Sequence, residues 1–286
     1  DIESVNLNAA LVTILRDSSR LSLKMYYYGS ERGLPGAVVF YNPFATQRLW
    51  NKDFFSNLQY KSDTKKRLQW LTNIKYSQNW LRYLDPEYLN AEGKLDNRYL
   101  QREYYISQAV NWKVIDSLHL SIASDFFVNT LDANLYQYAK PTRYSSLSVL
   151  AFQYLRPRWE VNGNILATLV REKTIEGQPA PDRNILTPSV SCGYRLTQSP
   201  NIRLRFLYKD VFRMPTFNDL YYTLVGNNNL KPEYAKQYNA GVTAFSHWGI
   251  IEYISFKADF FYNHVKDKIV AVPTKNLFVW SMRNIG

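Results

Sequence analysis

The chain has 286 residues and a formal net charge of +11 at pH 7, and 16% of its residues are aromatic. It contains no run of about 18 apolar residues, which excludes a transmembrane helix. The basic residues are spread along the chain without a basic helix or a nucleic-acid motif, so nucleic acid is not an expected partner. The single cysteine, Cys192, excludes an internal disulfide.

Alternation of apolar and polar residues predicts thirteen β-strands. In residues 201–209, Ile202, Leu204, Phe206 and Tyr208 share one face. The other face carries Asn201, Arg203, Arg205 and Lys209. A period of two indicates a strand with one apolar and one wet face. The predicted strands are residues 5–15, 20–28, 46–60, 66–80, 99–112, 117–129, 143–155, 158–171, 185–197, 201–211, 233–246, 250–263 and 277–286.

The connections between these strands are alternately short and long. The short ones are residues 16–19, 61–65, 113–116, 156–157, 198–200 and 247–249, and the long ones are 29–45, 81–98, 130–142, 172–184, 212–232 and 264–276. Strict alternation is typical of a membrane barrel, with short turns on one side of the bilayer and long loops on the other. A large antiparallel sheet with one solvated face is the remaining alternative.

Parity within the strands assigns the two faces. The rows predicted to point outward are Trp159, Val161, Gly163, Ile165, Ala167 and Leu169; Leu118, Leu120, Ile122, Phe126 and Val128; and Ile254, Phe256, Ala258, Phe260 and Tyr262. Cys192 shares the outward parity of Val190 and is interpreted as a small outward-facing hydrophobe. The many aromatic residues fit the girdles found at both membrane interfaces of such barrels.

The sequence therefore predicts an all-β fold, an antiparallel transmembrane β-barrel, with residues 1–286 forming part of one barrel domain. Thirteen is an odd number, whereas bacterial single-chain barrels have an even number of strands. The chain also begins at Asp1 and ends at Gly286 within an apparent strand. We therefore expect a segment of a longer polypeptide.

The connection after the tenth strand carries two sequence boxes. The first is Phe212, Arg213, Met214, Pro215, Thr216, Phe217, Asn218, Asp219, Leu220, Tyr221 and Tyr222, and the second is Gly226, Asn227, Asn228, Asn229, Leu230, Lys231, Pro232 and Glu233. Together they resemble the TonB-dependent outer-membrane transporters of the cobalamin and siderophore type. Turn chemistry accounts for most of these residues, since Pro215 ends a strand and Gly226 with the asparagines tolerates positive φ. Arg213, Tyr221 and Tyr222 remain as candidates for cargo contact.

The resemblance implies a 22-stranded barrel filled by an N-terminal plug, with the plug and the remaining strands absent from this chain. It implies residence in the bacterial outer membrane and import of a scarce, bulky nutrient driven by the inner-membrane TonB complex through that plug. Outer-membrane lipids and lipopolysaccharide, and a surface lipoprotein at the mouth, are the other expected partners. No cofactor is expected, because cobalamin or a ferric chelate would be the cargo.

The long loops supply the other candidate cargo contacts, which pair aromatic rings with guanidinium groups that can stack on a flat or anionic ligand. These candidates are Arg32, Tyr41, Tyr83, Tyr88 and Arg98. No metal site is expected, because His119, His247 and His264 are not spaced with other ligands as a metal site requires. The resemblance disfavours haem, because haem receptors of this family tend to place a histidine ligand between the two boxes and residues 216–226 contain none. Cobalamin and a ferric siderophore then rank nearly level as cargo.

Three other classes compete with this interpretation. An enzyme is not expected, because the chain has no G-x-S-x-G, H-E-x-x-H or P-loop motif. A passive porin-like barrel and a glycan or peptide importer of the same family are the stronger alternatives. A soluble β-rich adhesin would instead show polar outward rows.

Overall fold

The computed structural model describes the chain except residues 36–44, 63–66, 89–90, 223–224 and 275–279 and the side chain of Trp248. Over the described residues the fold is all-β with a single short helix. Its elements are β1 Ile2–Ile14, β2 Arg20–Gly33, β3 Arg48–Ser62, β4 Leu68–Asp85, β5 Leu95–Ile115, β6 Leu118–Ala133, β7 Thr142–Leu155, β8 Trp159–Lys173, β9 Arg183–Thr197, β10 Asn201–Arg213, α1 Phe217–Tyr221, β11 Glu233–Trp248, β12 Ile251–Lys266, β13 Lys268–Pro273 and β14 Trp280–Ile285.

Strands β1 to β12 form one antiparallel sheet of 12 strands in chain order. Because successive strands reverse direction, the long connections all lie at one end of the sheet, here named the long-loop edge, and the tight turns lie at the opposite, short-turn edge. Strands β13 and β14 form a separate two-stranded sheet. A search of the described residues finds no helix of the length and apolarity needed to cross a membrane.

The last predicted strand is real but does not belong to the large sheet. Predicted strand 277–286 corresponds to β14, which pairs with β13 inside the stretch 264–276 that we predicted as a loop. Strand β12 runs to Lys266, and Asp267 then adopts a left-handed φ of 56°. This residue turns the chain away from the sheet, so β13 cannot continue β12.

Several strands are longer at the long-loop edge than the alternation predicted. Strand β4 reaches Asp85 and β5 begins at Leu95, so half of the predicted loop 81–98 is paired sheet. The same holds for the start of the predicted loop 29–45, because β2 reaches Gly33. A bilayer is crossed by about 9–11 residues, so these strands extend beyond it. The alternation of apolar and polar side chains stops where the strands leave the hydrocarbon. The backbone hydrogen bonds between the strands continue beyond that point.

The register confirms the predicted division into two faces. Ile122, Leu150 and Ile165 are direct partners on neighbouring strands and are 60%, 57% and 49% exposed. Cys192 lies opposite both Phe206 and Val161, which confirms its outward position. We name this apolar side the outer face and the opposite side the inner face. So broad an exposed apolar surface is what a lipid-facing wall requires and what a soluble monomer avoids.

Charge on the outer face should destabilise the fold. We expect Ile165→Lys to cost about 2–4 kcal/mol, because it places an ammonium group at mid-depth in hydrocarbon. Asn164→Lys is the matched control, since the adjacent residue lies on the inner face and is exposed. The measurement is the free energy of unfolding of the intact protein in lipid vesicles. Equal losses for the two variants would contradict the assignment of faces.

Candidate functional site

The connection between β10 and β11 folds over the inner face at the long-loop edge. Its first turn is the helix α1, which the sequence analysis treated only as irregular connection. Thr216 is the N-cap and shares a capping box with Asp219: the Thr216 N–H donates to Asp219 Oδ2 at 2.8 Å and the Asp219 N–H donates to Thr216 Oγ1 at 3.1 Å. Pro215 precedes this cap, where it ends the strand as predicted.

The apolar residues of this connection form the buried cluster of the described chain. Leu220 and Leu230 are 3% and 2% exposed and pack with side chains from the inner face. Their partners are Leu131, Ala133, Tyr138, Ala180, Phe217, Tyr221 and Ile269. The described part of the sheet has no other apolar core, because its outer face is exposed, so this connection is the best-packed part of the described molecule.

A buried ion pair anchors the connection to the sheet. Arg143 on β7 and Glu172 on β8 are direct cross-strand partners, and their side chains are 13% and 2% exposed. Arg143 Nε donates to Glu172 Oε1 at 2.7 Å, its Nη2 donates to the Pro215 carbonyl at 2.8 Å, and its guanidinium lies 5.0 Å from the Phe217 ring centroid. A buried charge pair is stable only when its remaining donors and acceptors are hydrogen-bonded. The connection supplies hydrogen-bond partners for these groups.

Tyr221 completes this cluster. Its hydroxyl donates to Glu172 Oε2 and accepts from the backbone N–H of Ala180 at 2.8 Å, and the residue is 7% exposed. Burial, and then the hydrogen bond to Glu172, raises the pKa of the Tyr221 hydroxyl above its usual value, so the hydroxyl remains a donor. The structure therefore gives Tyr221 an internal role, and cargo contact by Tyr221 stays a prediction.

The second box is held by a later part of the chain. Asn227 Nδ2 donates to the Met282 carbonyl at 3.0 Å, and the Lys231 N–H donates to Asn284 Oδ1 at 2.8 Å. Asn284 Nδ2 in turn donates to the Lys231 carbonyl at 3.0 Å, and Glu233 Oε2 accepts from the Ile269 N–H at 3.1 Å. The second box and the β13–β14 sheet are therefore joined in one hydrogen-bonded unit.

Gly226 is required for a different reason from the one predicted. The positive-φ residues among the described ones include neither Gly226 nor the asparagines that follow it, so the expectation of positive φ is wrong. A Cβ on Gly226 would instead lie 2.7 Å from Tyr222 N and 2.8 Å from the Leu220 carbonyl oxygen. Close backbone approach excludes any side chain here.

A cavity of about 760 Å³ opens beside this unit, within the roughly 300–1,000 Å³ range of small-molecule sites. Its polar lining consists of tyrosines, side-chain amides, one serine and one carboxylate. Tyr136 is 84% exposed at its rim, and Tyr222 follows the buried Tyr221 directly. The lining residues with these groups are Tyr136, Gln137, Glu176, Gln178, Tyr221, Tyr222, Asn227, Asn228 and Ser281.

The predicted cargo contacts do not gather at one place. Arg213 bridges Glu233 at 3.1 Å and Asp219 at 3.7 Å and is half-exposed. Arg32 and Tyr83 both lie opposite Leu49 on one inner-face row. Tyr88 is exposed in the connection after β4.

Arg98 and Tyr41 differ from the rest of the predicted set. Arg98 lies on β5 rather than in a loop, with the parity of the outer face. Tyr41 lies outside the described residues.

Sequence reasoning missed Arg143 and Glu172. Glu172 was placed in a predicted loop, and Arg143 was an ordinary strand end, so neither residue carried a local signal. Only the pairing of β7 with β8 brings them together. Among the described residues, no group of three or more His, Cys, Asp or Glu side chains could hold a metal ion.

Comparison with known proteins gives a consistent result. The model of the family described as TonB dependent receptor-like, beta-barrel matches residues 6–286. A vitamin B12 transporter BtuB from Vibrio vulnificus is 34% identical over 74 residues, which are 26% of this chain and 11% of that protein. A vitamin B12 transporter BtuB from Photobacterium profundum is 26% identical over 148 residues, which are 51% of this chain and 23% of that protein.

Solved structures share the fold. The copper transporter OprC aligns over 99% of this chain and 48% of its own, with a TM-score of 0.80 at 13% identity. The FrpB iron transporter from Neisseria meningitidis (F3-3 variant) aligns over 99% of this chain and 48% of its own, with a TM-score of 0.76 at 12% identity. The chain therefore spans less than half the length of either structure.

Removing the Tyr221 hydroxyl should loosen the connection. We expect Tyr221→Phe to lower the local stability of residues 214–222 by about 1–3 kcal/mol, since it leaves the Ala180 N–H and a buried Glu172 oxygen without that partner. The measurement is amide hydrogen exchange of this segment in the intact protein. Tyr222→Phe is the matched control and should exchange like the parent. Equal protection in all three proteins would contradict the anchoring role.

Proposed function

The chain belongs to the TonB-dependent receptor β-barrel family, and we propose that it is part of a transporter importing cobalamin or a ferric siderophore. The family places the chain in the outer membrane of Gram-negative bacteria, and its members are receptors and transporters rather than enzymes. In our proposal, inner-membrane energy reaches the barrel through the TonB complex, and the long-loop edge faces the outside of the cell, as in other bacterial barrels.

The observation that carries the proposal is the anchored connection between β10 and β11. A buried ion pair and a capped helix fix this loop against the wall. That loop borders a cavity at the long-loop edge, which Tyr221 and Tyr222 both line, and the Tyr221 hydroxyl is held by Glu172. Such an arrangement suits a receptor, because a rigid wall lowers the entropy cost of binding.

Between the two cargoes, the cavity favours cobalamin. Its polar lining is mainly neutral, with the side-chain amides of Gln137, Gln178, Asn227 and Asn228 and a single carboxylate, that of Glu176. Amides donate and accept hydrogen bonds at once, which suits a ligand whose periphery is rich in amides. The two BtuB relatives support the same choice, although each matches only part of the chain.

The inner face supports the proposal of a plug. Buried polar atoms without a hydrogen-bond partner in the described part of the chain include Asn51 Oδ1, Asn129 Oδ1, Thr168 Oγ1 and Arg32 Nε, all with inner-face parity. Buried polar atoms are normally paired. We propose that a plug from the same polypeptide covers this face and provides partners for them.

Further strands of the same polypeptide belong to the same proposal. Within the described residues, β1 and β12 each pair on one side only, and an unpaired edge is not tolerated in lipid. The 22-stranded barrels of plugged transporters would supply the missing partners. Contacts with outer-membrane lipids, lipopolysaccharide and a surface lipoprotein are also part of the proposal.

Cargo binding by the intact protein in detergent tests this function. We expect calorimetry to show tight binding of cyanocobalamin and none of a panel of ferric chelates. Tyr136→Ala with Tyr222→Ala should weaken binding by about ten-fold or more, the loss typical of aromatic anchors. Tyr253→Ala, an exposed tyrosine near the short-turn edge, is the matched control and should bind like the parent.

Other outcomes separate the alternatives. Tight binding of one ferric chelate alone would show that the cargo is a ferric siderophore and not cobalamin. Binding of an oligosaccharide or peptide alone would indicate another importer of the family. A barrel that binds none of these ligands and conducts ions without TonB would be a passive pore, and the proposal would be wrong.

A further inference from the structure

Three arginines lie side by side on neighbouring strands at the short-turn edge. Arg158 lies in the turn between β7 and β8, and its carbonyl accepts from the Arg195 N–H on β9 at 2.8 Å. Arg195 is in turn the direct partner of Arg203 on β10, and both residues have inner-face parity. We name these three residues the arginine row.

Within the described residues, the arginine row has no counter-charge. The ion pairs of this part of the chain include none of its three members. Glu160 lines a cavity of about 140 Å³ together with them but forms no ion pair with them. The two other arginines of this cavity have partners elsewhere, because Arg156 donates to the Tyr154 hydroxyl at 3.2 Å and Arg205 donates to Asp259 at 2.8 Å.

Such a row is unfavourable without an anion. Like charges directly opposite each other on neighbouring strands destabilise a sheet, and Arg195 and Arg203 are such a pair. Arg195 Nε is also buried without a hydrogen-bond partner among the described residues, whereas buried polar atoms are normally paired. An anionic group would remove both deficits, because guanidinium groups bind phosphate and carboxylate with paired hydrogen bonds.

Glycines leave room for a group larger than one carboxylate. Gly193 lies between Glu160 and Arg205 in the register, next to Arg195 on the inner face, and a Cβ there would meet no atom closer than 3.7 Å. A second cavity of about 330 Å³ extends over Gly193 and Gly241 and shares Glu160 and Arg205 with the first. Its volume reaches the range of small-molecule sites. A single carboxylate side chain from a plug would leave this space unfilled.

We propose that the arginine row is a second cargo site, which binds the anionic group of the solute as the solute leaves the barrel. This inference rests on the proposed function, in which the long-loop edge faces the outside and the short-turn edge therefore faces the periplasm. The described lining of the cavity at the long-loop edge contains amides and no basic residue. The two sites therefore recognise different parts of one molecule, and for cobalamin the anionic group is its phosphodiester.

Cells that carry the intact receptor provide the test, with uptake measured separately from binding. We expect Arg195→Gln with Arg203→Gln to slow the initial uptake of cyanocobalamin about ten-fold or more, because hydrogen bonds to charged groups are the stronger ones. Binding of cyanocobalamin to de-energised cells should stay unchanged, since the long-loop cavity is intact. Uptake of dicyanocobinamide, which lacks the phosphodiester, should also stay unchanged.

The matched control is Arg16→Gln with Arg67→Gln, which removes two exposed charges from other short turns. This variant should import cyanocobalamin like the parent. Heat-modified gel mobility verifies that each variant is assembled.

Two uptake results would overturn the proposal. The first is equal uptake of cyanocobalamin by the parent and by the Arg195→Gln, Arg203→Gln variant. The second is equal slowing of cyanocobalamin and dicyanocobinamide, since the row would then serve the plug or the fold and not the phosphodiester.

A parent protein that binds no cyanocobalamin would instead contradict the proposed function. Calorimetry with inorganic pyrophosphate then tests the arginine row by itself. The parent should bind pyrophosphate and the Arg195→Gln, Arg203→Gln variant should not, whereas equal binding by the two proteins would overturn the site.

Discussion

The backbone's need for hydrogen bonds in hydrocarbon is the constraint on which this structure depends. No water satisfies a peptide group there, so every N–H and C=O must bond within the protein. Apart from the outer edges of β1 and β12, strands β1 to β12 meet that requirement with a continuous antiparallel ladder. The ladder fixes the register, and the register decides which side chains lie on each face. The lipid-facing wall and the polar inner wall are therefore two consequences of one set of bonds.

The position of the connection between β10 and β11 over the inner face depends on one buried ion pair. Arg143 and Glu172 cannot satisfy all of each other's hydrogen-bond donors and acceptors. The connection after β10 supplies further partners through the Pro215 carbonyl and the Tyr221 hydroxyl. This requirement explains why that connection carries such a specific sequence. Most of its residues contact other parts of the protein. These contacts are the capping box, the close backbone approach at Gly226 and the asparagine hydrogen bonds to the last strand. The groups left for a ligand are the neighbours of these residues, above all Tyr222 and Tyr136.

Charge is arranged by face and by height on the wall. On the inner face, ion pairs such as Lys75 with Glu103 cross between neighbouring strands, 3.0 Å apart. On the outer face of the described strands, the middle is mainly apolar, and basic side chains such as Arg82 and Arg98 appear where the strands leave the hydrocarbon. A net positive charge that composition could not interpret thus has two separate locations with different partners. The inner charges face a plug or solute and the outer charges face outer-membrane lipids in our proposals.

The sequence by itself determined the all-β class, twelve strands of the large sheet and their two faces, because alternation is a local pattern that a half-buried strand must show. It also marked the connection after β10 as special. Only the tertiary structure decided where the strands end, that β13 and β14 pair apart, and that Arg98 faces outward. It alone brought Tyr221 to Glu172, 49 residues earlier in the chain. Side-chain partners that far apart leave no local signal, because their meeting depends on strand register and not on the residues around them.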